Sequence, residues 1–510
     1  MICIPITARS TENTISEMSL ASKYADIIEL RIDYITELQD AETCIERSLK
    51  SKTKPVIITN RPEREGGKFS GSEQDRLRLL QKAIELGADY VDVEYDSSNH
   101  ITKQNSSKII ISYHNFKETP HNLNKIYNDI CQRKPDIVKI VTYANDITDN
   151  IRIFELLNTA NMPTISFCMG ELGYISRILT RKFGGLLTFA SLERGKESAP
   201  GQLTVDELSK IYHFKSINER TKLYGIIGNP VSHSMSPVIH NASFKDKGLN
   251  NVYVPLKISN IGAFIKEYRK MDFQGFSVTI PHKESVLPFL DDIDHTAGKI
   301  GAINTIVKQN GRLTGYNTDC MAAVIGLEHS LKETDDTLNN KKISIIGAGG
   351  TARAIAFGLK EKGCDIIIYN RTLERAEKLS NDVKCRFEGF EEIHKLDSDI
   401  LINTTSIGMF PDVDRTPVPQ NVLKAGMIVF DAVYNPIETR LLQDAKKRGC
   451  RTVNGLTMFI QQAAEQFRLW TNIDPPIELM SNVVRETLSR LPACPPGNAV
   501  RTGNYSGRKP

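Results

Sequence analysis

The chain has 510 residues, of which 40% are hydrophobic and 25% charged, with a formal net charge of +4. This length is too great for one ordinary hydrophobic core. The small net charge, without a long basic run, argues against nucleic-acid binding. No stretch approaches the roughly 20 apolar residues that a membrane span needs. Nine cysteines without a C-x-x-C pair indicate reduced thiols in a cytoplasmic protein and no structural zinc or other metal site.

Eight short apolar runs in residues 1–218 predict eight β-strands. The chain opens at once with MICIPIT, without the basic and apolar regions of a signal peptide. The other runs are ADIIELRID, KPVIITNR, YVDVEY, KIIISYH, DIVKIVTY, PTISFCM and GLLTFASL, and amphipathic segments such as QDRLRLLQKAIELG separate most of them. Strands that alternate with helices in this way predict an α/β domain, a (β/α)8 barrel, with an open doubly wound sheet as the alternative.

Polar side chains near the ends of these strands point to the catalytic face of such a barrel. A parallel strand should be almost wholly apolar, so charges in it need a reason. In a barrel the C-terminal ends of the strands and the loops after them form the active site. The residues concerned are Glu29, Arg31 and Asp33 in the second strand, Arg61 after the third, His114 at the end of the fifth and Lys139 in the sixth.

Lys139 and His114 lie on neighbouring predicted strands and together suggest Schiff-base chemistry. A buried amine can attack a carbonyl as a nucleophile, and a histidine can move the protons that such a reaction needs. Each residue alone also has a structural explanation. Lys139 could form a buried ion pair with Glu29 or Asp33, and His114 could be a core histidine with its hydrogen bonds satisfied.

A second array of strands and helices follows the polar segment HFKSINERTK. Residues 222–320 contain the strand-like runs KLYGIIGNP, NVYVPLKI, GFSVTIP and INTIVKQ, and TDCMAAVIGLEHSLKE predicts a connecting helix. Residues 321–450 predict a second βαβ array, a Rossmann lobe. Residues 451–492, with the amphipathic helix GLTMFIQQAAEQFRLW, are expected to pack back on the earlier lobe. Residues 493–510 are rich in Pro, Gly, Ser and Asn and predict a disordered tail.

A glycine-rich turn in KISIIGAGGTAR joins a predicted strand to a predicted helix. Gly347, Gly349 and Ala352 satisfy the G-x-G-x-x-G/A dinucleotide fingerprint, and Gly350 lies in the same turn. The N-terminus of the helix would then face a pyrophosphate. The sequence therefore predicts a dinucleotide site here.

The end of the next predicted strand, DIIIYNRT, indicates which dinucleotide is bound. An acidic residue at this place would bind the ribose hydroxyls of NAD. The strand ends instead in Asn370, Arg371 and Thr372, with Arg375 one turn further on. Arginine favours a 2′-phosphate, so the predicted cofactor is NADP.

Four motifs between the barrel and this turn concentrate hydroxyls and amides around one lysine and one aspartate. They are SHSMSP, SVTIPHK, GAINT and GYNTD, with the lysine at 283 and the aspartate at 319. Recognition of a polyhydroxylated ring requires such groups, because each ring hydroxyl needs a partner. Taken singly, Lys283 reads as a surface lysine and Asp319 as a helix N-cap.

The motifs ELRID, EGG, SYH, VKI, SR and SAPGQ, in this order, make residues 1–217 resemble the type I 3-dehydroquinate dehydratases. The resemblance implies that Lys139 forms an imine with the C3 ketone of 3-dehydroquinate. It implies that His114 assists imine formation, removes a C2 proton and delivers one to the departing hydroxyl. Arg177 would pair with the substrate carboxylate, and Glu65 would help to close the site. The other implied substrate contacts are Glu29, Arg31, Arg61, Ser198 and Gln202.

With NTTSIGM, DAVYNP and GLTMFIQQAAEQF following in order, residues 222–490 resemble the shikimate dehydrogenases. The resemblance implies Lys283 and Asp319 as the catalytic pair. The implied substrate contacts are Ser234, Ser236, Thr279, Asn304, Tyr434 and Gln462. His282 and Cys320 replace the Phe and Gly of many bacterial members, and neither change removes a catalytic group.

Together the two resemblances predict a bifunctional enzyme that acts on small molecules, as a monomer or a dimer. It would dehydrate 3-dehydroquinate to 3-dehydroshikimate and reduce that product to shikimate with NADPH. One alternative is a quinate/shikimate dehydrogenase with NAD preference, which the Asn370-Arg371-Thr372 segment argues against. Another is a non-catalytic, ligand-sensing regulator, which the presence of Lys139, His114, Lys283 and Asp319 argues against.

Overall fold

The computed structural model describes residues 1–232, 234–332 and 337–490. The predicted disordered tail at 493–510 lies outside these described residues. No helix within the described ranges is long and apolar enough to cross a membrane.

The chain divides into two compact units. The first is Met1–Asn317 with Gln466–Asp474, and the second is Thr318–Glu465 with Pro475 and the described residues after it. The first unit therefore contains both the barrel and the following substrate lobe, which the sequence predicts as separate domains. The second contains the nucleotide-type sheet.

Eight parallel strands curl into the predicted barrel. Their order is β7-β6-β5-β4-β3-β2-β1-β8, with a short β9 beside β8, and Leu186 N donates to Thr164 O across the remaining seam. The strands are β1 (Ile2–Ile6), β2 (Ile27–Arg31), β3 (Val56–Thr59), β4 (Tyr90–Glu94), β5 (Lys108–His114), β6 (Ile137–Tyr143), β7 (Thr164–Met169), β8 (Thr188–Ser191) and β9 (Leu203–Thr204). The helices are α1 (Thr11–Ala21), α2 (Leu38–Ser51), α3 (Glu73–Glu85), α4 (Leu123–Cys131), α5 (Asp149–Thr159) and α6 (Tyr174–Leu179). The eight predicted strands and the barrel are confirmed, and the open-sheet alternative is wrong.

Alternation along each strand separates the barrel interior from the layer beneath the helices. Ile28 and Leu30 belong to the large core that includes the helices, whereas Ile27 belongs to an interior apolar cluster. Glu29 and Arg31 share the face of Ile27 and follow it toward the end of β2. The interior cluster contains Cys3, Ile27, Ile57, Ile110, Ile137, Ile165 and Leu187. Inside the barrel, the polar residues therefore lie at the C-terminal ends of the strands and the apolar cluster lies beneath them.

The substrate lobe is a six-stranded mixed sheet in the order β11-β10-β12-β14-β15-β13. Its strands are β10 (Lys222–Gly228), β11 (Asn251–Lys257), β12 (Phe273–Val278), β13 (Asp292–Ile293), β14 (Thr305–Gln309) and β15 (Arg312–Tyr316). Its helices are α7 (Ser236–Asp246), α8 (Ile261–Tyr268), α9 (His282–Ser285) and α10 (His295–Ile300). The end of the later helix α15 (Gly455–Thr471) packs on this sheet, since Trp470 Nε1 donates to Ile306 O at 3.0 Å.

The nucleotide sheet has six parallel strands in the order β18-β17-β16-β19-β20-β21, the order of a Rossmann fold. Its strands are β16 (Lys342–Ile346), β17 (Asp365–Asn370), β18 (Arg386–Gly389), β19 (Ile400–Asn403), β20 (Ile428–Asp431) and β21 (Arg451–Val453). The helices of the second half beyond α10 are α11 (Asp319–Lys332), α12 (Gly350–Glu361), α13 (Leu373–Val383), α14 (Arg440–Lys447), α15 and α16 (Ile477–Arg490). The predicted Rossmann lobe and connecting helix are confirmed.

Candidate active sites

The barrel has a pocket at the C-terminal ends of its strands. All nine residues predicted for the barrel site line this pocket, although they come from six different strands and the loops that follow them. They are Glu29, Arg31, Arg61, Glu65, His114, Lys139, Arg177, Ser198 and Gln202. Phe116, Phe167 and Phe189 supply apolar wall.

Lys139 is buried in the pocket and surrounded by negative charge. Its Nζ lies 2.7 Å from Asp92 Oδ2 and 3.6 Å from Glu29 Oε1, over the ring of Phe189. Burial alone would raise the pKa of Asp92, but Arg61 and Lys139 outweigh it and hold that pKa well below its usual range. The site therefore stabilises a positive charge at the Lys139 nitrogen.

Asp92 is a site residue that the sequence prediction does not include. The ion-pair alternative names Glu29 and Asp33 as partners of Lys139, but Asp92 is the nearer carboxylate. Asp33 lies beyond β2, in a 3-10 turn at Ile32–Tyr34, and pairs with Arg31 at 2.8 Å. The signal for Asp92 is present in YVDVEY, where Asp92 and Glu94 alternate just as Glu29 and Arg31 do in β2.

His114 and Glu65 form a partly buried pair in the lining of the same pocket. His114 Nδ1 lies 2.8 Å from Glu65 Oε2. Burial, together with the cations of Arg61 and Lys139, holds the pKa of His114 well below its usual value. Burial also raises the pKa of Glu65 to about 7, with Glu94 and Asp92 acting in the same direction. A neutral imidazole that donates from Nδ1 to Glu65 keeps Nε2 as an acceptor of protons.

Arg177 is a buried guanidinium without a carboxylate partner among the described residues. It is 1% exposed, lies over the ring of Phe167 at 4.3 Å and donates weakly to Pro200 O at 3.4 Å. Burial lowers the pKa of Arg177 to about 10, so the group stays charged at neutral pH. A buried charge in this state is ready to bind an external carboxylate. Arg31, by contrast, is already neutralised by Asp33.

The loop after β8 places two neutral polar side chains at the pocket. Gly201 has φ +75°, and a Cβ there would meet Gly170 O at 2.4 Å, so only glycine allows the two loops to approach. Gln202 Oε1 accepts from Ser198 N at 2.7 Å and from Ser198 Oγ at 3.2 Å. Gln202 Nε2 is buried and has no hydrogen-bond partner in the described part of the chain. This donor requires a partner that a ligand can supply.

The first unit also contains five of the residues predicted for the second site. Lys283 lies in α9, and its carbonyl accepts from Ile303 N at 2.7 Å, which fixes it beside the segment that carries Asn304. Asn304 is buried and Ser236 is the first residue of α7. Ser234 Oγ accepts from Ser236 N at 3.2 Å, and Thr279 follows β12. His282 is buried, with Nε2 placed 3.2 Å from Ile258 O.

The second unit contains the other three residues predicted for that site. Asp319 is buried as the first residue of α11. Gln462 Nε2 donates to Phe459 O at 2.9 Å, and the ring of Phe459 stacks on Tyr434 at 4.1 Å. The pairing of Lys283 with Asp319 stays a prediction, because the two residues belong to different units.

The glycine turn after β16 has the geometry of a dinucleotide site. Gly347 has φ +108°, and a Cβ there would meet Thr404 Oγ1 at 2.5 Å. A Cβ at Gly349 would meet no described atom within 4 Å, so open space lies at the N-terminus of α12, where no side chain of the described residues caps the helix. Gly350 begins α12 and Ala352 is buried within it. These amides and the helix dipole fit a pyrophosphate.

The end of β17 presents two exposed cations near this turn. Asn370 Nδ2 donates to Thr372 O at 2.7 Å, which shapes the turn before α13. Arg371 and Arg375 are exposed and form no salt bridge within the described residues. They fit a 2′-phosphate. Across residues 1–232, 234–332 and 337–490, no three His, Cys, Asp or Glu side chains form a metal-ligand group.

A barrel with a buried strand lysine and, on the same chain, a substrate sheet and a Rossmann sheet define an enzyme with two separate sites. Comparison with known families agrees with this class. Residues 2–219 match the family described as type I 3-dehydroquinase, and 226–306 match the shikimate dehydrogenase substrate binding domain. Residues 329–418 match the shikimate/quinate 5-dehydrogenase family, and 455–485 match the shikimate 5′-dehydrogenase C-terminal domain.

One of these relatives spans most of the chain, and two others span about half of it. The chain is 43% identical to the chloroplastic bifunctional 3-dehydroquinate dehydratase/shikimate dehydrogenase of Arabidopsis thaliana, over 94% of this chain and 83% of that protein. It is 44% identical to the NADP+ shikimate dehydrogenase of Methanocaldococcus jannaschii, over 54% of this chain and all of that protein. A crystal structure of a shikimate dehydrogenase with NADP+ is 43% identical and superposes with a TM-score of 0.50, over 53% of this chain and 97% of that chain.

The chain therefore belongs to the family of bifunctional 3-dehydroquinate dehydratase/shikimate dehydrogenases. It combines a lyase module and an oxidoreductase module, and the predicted bifunctional enzyme is confirmed at this level.

Proposed function

We propose that Lys139 and His114 carry out the dehydration of 3-dehydroquinate and that Lys283 and Asp319 carry out the reduction of 3-dehydroshikimate to shikimate. The observation that supports the first assignment is the convergence of nine predicted residues on one barrel pocket, with the Lys139 amine inside it. Both reactions belong to the shikimate pathway, and the product of the first is the substrate of the second.

Imine formation is the first step of the proposed dehydration. Lys139 first passes a proton to His114 Nε2, and the neutral amine attacks the C3 carbonyl carbon. The carbonyl oxygen takes up that proton and a second one from the nitrogen and leaves as water. Asp92 and Glu29 stabilise the positive charge that remains on the imine nitrogen. The protonated imine withdraws electrons from C2, so His114 Nε2 can remove a C2 proton.

The second step is loss of the hydroxyl. The electron pair released at C2 expels the hydroxyl, which takes a proton from His114 and leaves as water. Hydrolysis of the imine then frees Lys139 and the product ketone. Glu65 accepts from His114 Nδ1 and steadies the imidazole through both proton transfers.

Arg177 and Gln202 are the proposed anchors of the substrate. The uncompensated guanidinium of Arg177 binds the carboxylate, and the unpaired Nε2 of Gln202 donates to a ring oxygen. Both groups are buried without a suitable partner, and substrate binding supplies one. Because only one orientation of the substrate satisfies both groups, binding also fixes the orientation.

The second site is proposed to reduce the ketone of 3-dehydroshikimate. Lys283 supplies a positive charge or a proton to the ketone oxygen, and Asp319 sets the charge and position of that lysine. Ser234, Ser236, Thr279, Asn304, Tyr434 and Gln462 bind the ring hydroxyls and carboxylate. NADP, when bound as NADPH, supplies the hydride. Arg371 and Arg375 bind its 2′-phosphate, and the amides after Gly349 bind its pyrophosphate.

Location and assembly are also proposals. The eight cysteines within the described residues are free thiols, which supports a reducing compartment such as the cytoplasm. The Arabidopsis relative carries the name chloroplastic, so fractionation of the source cells is the test. Monomer and dimer are separated by light scattering on the full chain.

The deciding experiment supplies the purified chain with 3-dehydroquinate and NADPH and follows NADPH oxidation. The expected result is NADPH consumption with shikimate as product. Lys139→Ala should abolish this and keep full activity on supplied 3-dehydroshikimate. Dehydration that survives in Lys139→Ala would exclude the imine mechanism. Lack of reduction of supplied 3-dehydroshikimate by the parent would exclude the second assignment.

A further inference from the structure

Arg76 is a fully buried guanidinium on the outer side of the barrel, in the first turns of α3. Its Nε and NH2 donate to the two oxygens of Glu73 at 2.9 and 2.7 Å, and NH1 donates to Asn60 O at 3.0 Å. The same NH1 lies 2.5 Å from Glu94 Oε2. Arg76 does not line the substrate pocket. It can therefore affect catalysis only through other residues.

Glu94 connects this helix arginine to the pocket. It is the last residue of β4 and is fully buried, and its second oxygen, Oε1, lies 2.5 Å from Arg61 NH1. Arg61 NH2 is in turn 2.8 Å from Asp92 Oδ1, and Asp92 Oδ2 is 2.7 Å from Lys139 Nζ. Charges of alternating sign thus run from α3 to the strand lysine. A buried chain of this kind depends on each member, because removing one leaves its neighbour uncompensated.

We propose that Arg76 is a positioning residue of the dehydratase, which acts through Glu94 to hold the Arg61 guanidinium at the pocket and so balances the charges around Glu65, His114 and Lys139. This inference rests on the proposed dehydration by Lys139 and His114. Without Arg76, Glu94 has one cation instead of two. Arg61, which also lies 4.0 Å from Glu65, is then drawn toward Glu94 and compensates Glu65 less well.

The charged groups around Glu65 determine in which direction the pKa of Glu65 should move in each variant. His114 from β5 and Arg61 from the segment after β3 face Glu65, while Asp92 and Glu94 from β4 and Asp96 from the turn after it act at longer range. Burial and the three longer-range carboxylates raise the pKa of Glu65, and Arg61 lowers it. Loss of the Arg76 charge should raise the pKa of Glu65 further. Loss of the Glu94 charge should lower it.

The test measures the pH dependence of dehydratase kcat/KM in the full chain from acid to alkaline pH. The acid limb is the part of the profile in which kcat/KM rises with pH as Glu65 loses its proton. Arg76→Met should move the midpoint of this limb upward by about 0.5–1 pH unit, and Arg76→Lys should move it less because a cation remains. Glu94→Gln should move the midpoint downward. Arg78→Met is the matched control, since Arg78 lies on the same helix, is exposed and pairs with Glu42. Activity on supplied 3-dehydroshikimate serves as the check of folding in every variant.

Midpoints of Arg76→Met and Glu94→Gln that match the parent, or that move in the same direction, would overturn the inference. If Arg76→Met does not fold, Arg76→Lys and Glu94→Gln decide by the same criterion. Borohydride added with 3-dehydroquinate separates this outcome from failure of the underlying mechanism. A parent chain that gains the mass of the reduced adduct at Lys139 retains the imine mechanism, whereas one that gains no mass loses both proposals.

Discussion

The amine of Lys139 is held by carboxylates that would favour the same charge before and after the proposed imine formation. Asp92 and Glu29 surround the nitrogen, and the ring of Phe189 covers its other side. Because a protonated imine keeps the positive charge of the ammonium it replaces, little electrostatic reorganisation is needed when the covalent bond forms. On the proposed mechanism, the carboxylates of the barrel therefore match the charge of the intermediate.

The proposed role of Arg177 in substrate binding predicts a cost to the stability of the fold. We expect Arg177→Met to raise KM for 3-dehydroquinate by about 10- to 100-fold, since a charge-assisted carboxylate contact contributes about 1.5–3 kcal/mol. The same change should stabilise the fold by about 1 kcal/mol, because an unpaired buried charge is removed. Steady-state kinetics and thermal unfolding without substrate check the two effects. A variant that binds less well and is also less stable would contradict the assignment of Arg177 as an uncompensated charge.

Glu65 should set the pH dependence of the dehydratase. Its pKa is raised to about 7, whereas that of His114 is held well below its usual value, so Glu65 is the group that titrates near neutral pH. We expect parent kcat/KM to rise with pH through about 7, as Glu65 becomes a carboxylate that accepts from His114. Glu65→Gln should remove this limb and lower kcat/KM at alkaline pH by about tenfold.

The control for this prediction is Glu63→Gln, which changes an exposed carboxylate in the same turn. Its pH profile should match that of the parent. An unchanged limb near neutral pH in Glu65→Gln would show that another group titrates there.

The barrel site could be predicted residue by residue to the extent that polar side chains interrupt apolar strands. Lys139, His114 and Arg61 stand out for this reason, and all nine predicted residues line the pocket. Asp92 carries the same signal, but its role depends on which strand is the neighbour and on which face it points, and these follow only from the closed sheet. That Arg31 is tied to Asp33 could not be foreseen, because Asp33 leaves the strand for a 3-10 turn.

In the Rossmann sheet, a buried carboxylate fastens the C-terminal ends of two strands to the following helix. Asp431, at the end of β20, accepts from Asn403 Nδ2 of β19, from Val433 N and from Thr439 Oγ1, the N-cap of α14. Burial nevertheless raises the pKa of Asp431 from 3.8 to about 6. The folded state is therefore more stable when Asp431 is protonated than when it is ionised.

This pKa shift predicts a pH-dependent stability of the second unit. Because the folded pKa lies above the unfolded one, the contribution is fully present below about pH 4 and is lost as pH rises through 6, by about 3 kcal/mol. Asp431→Asn keeps the hydrogen-bonding shape and should flatten that dependence. Denaturant unfolding at pH 5 and pH 8 measures it. An equal loss of stability between these pH values in parent and variant would contradict the prediction.

Elements with strong apolar periodicity could be predicted, whereas short or edge elements could not. The eight barrel strands and the connecting helix α11 agree with the sequence. β13 has only two residues, both exposed, and β15 contains Gly and alternates weakly, so neither resembles an isolated strand. Their pairing at the edge of the substrate sheet comes from tertiary contacts.

At the scale of the whole molecule, a second buried lysine joins the barrel to the substrate lobe. Lys182 Nζ donates to Glu219 O at 3.0 Å and to Thr221 O at 2.7 Å, and it pairs with Asp272 Oδ2 at 2.9 Å. Tyr268 OH of α8 donates to Ile147 O of the barrel at 2.7 Å. These buried contacts explain why the two parts form one compact unit.

We expect Lys182→Met to destabilise the first unit by about 2–4 kcal/mol, because two carbonyls and a carboxylate lose a shared donor. Both activities should then be lost at a lower temperature, the dehydratase together with the dehydrogenase. Lys257→Ala is the control: its pair with Glu171 also joins barrel and lobe but is partly exposed, and should matter little. Thermal inactivation of each activity measures the effect. Loss of only one activity on heating Lys182→Met would contradict a shared unit.

The junction of the two family matches lies between residues 219 and 226, inside a compact unit whose own boundary falls at Asn317. The boundary between the family matches and the boundary between the compact units therefore fall at different places in this chain. A gene split at the junction of the families would yield two fragments that each carry part of one shared core, with Lys182 separated from the Asp272 carboxylate that pairs with it. Separation of the two parts would therefore expose apolar residues of this shared core and the buried Lys182.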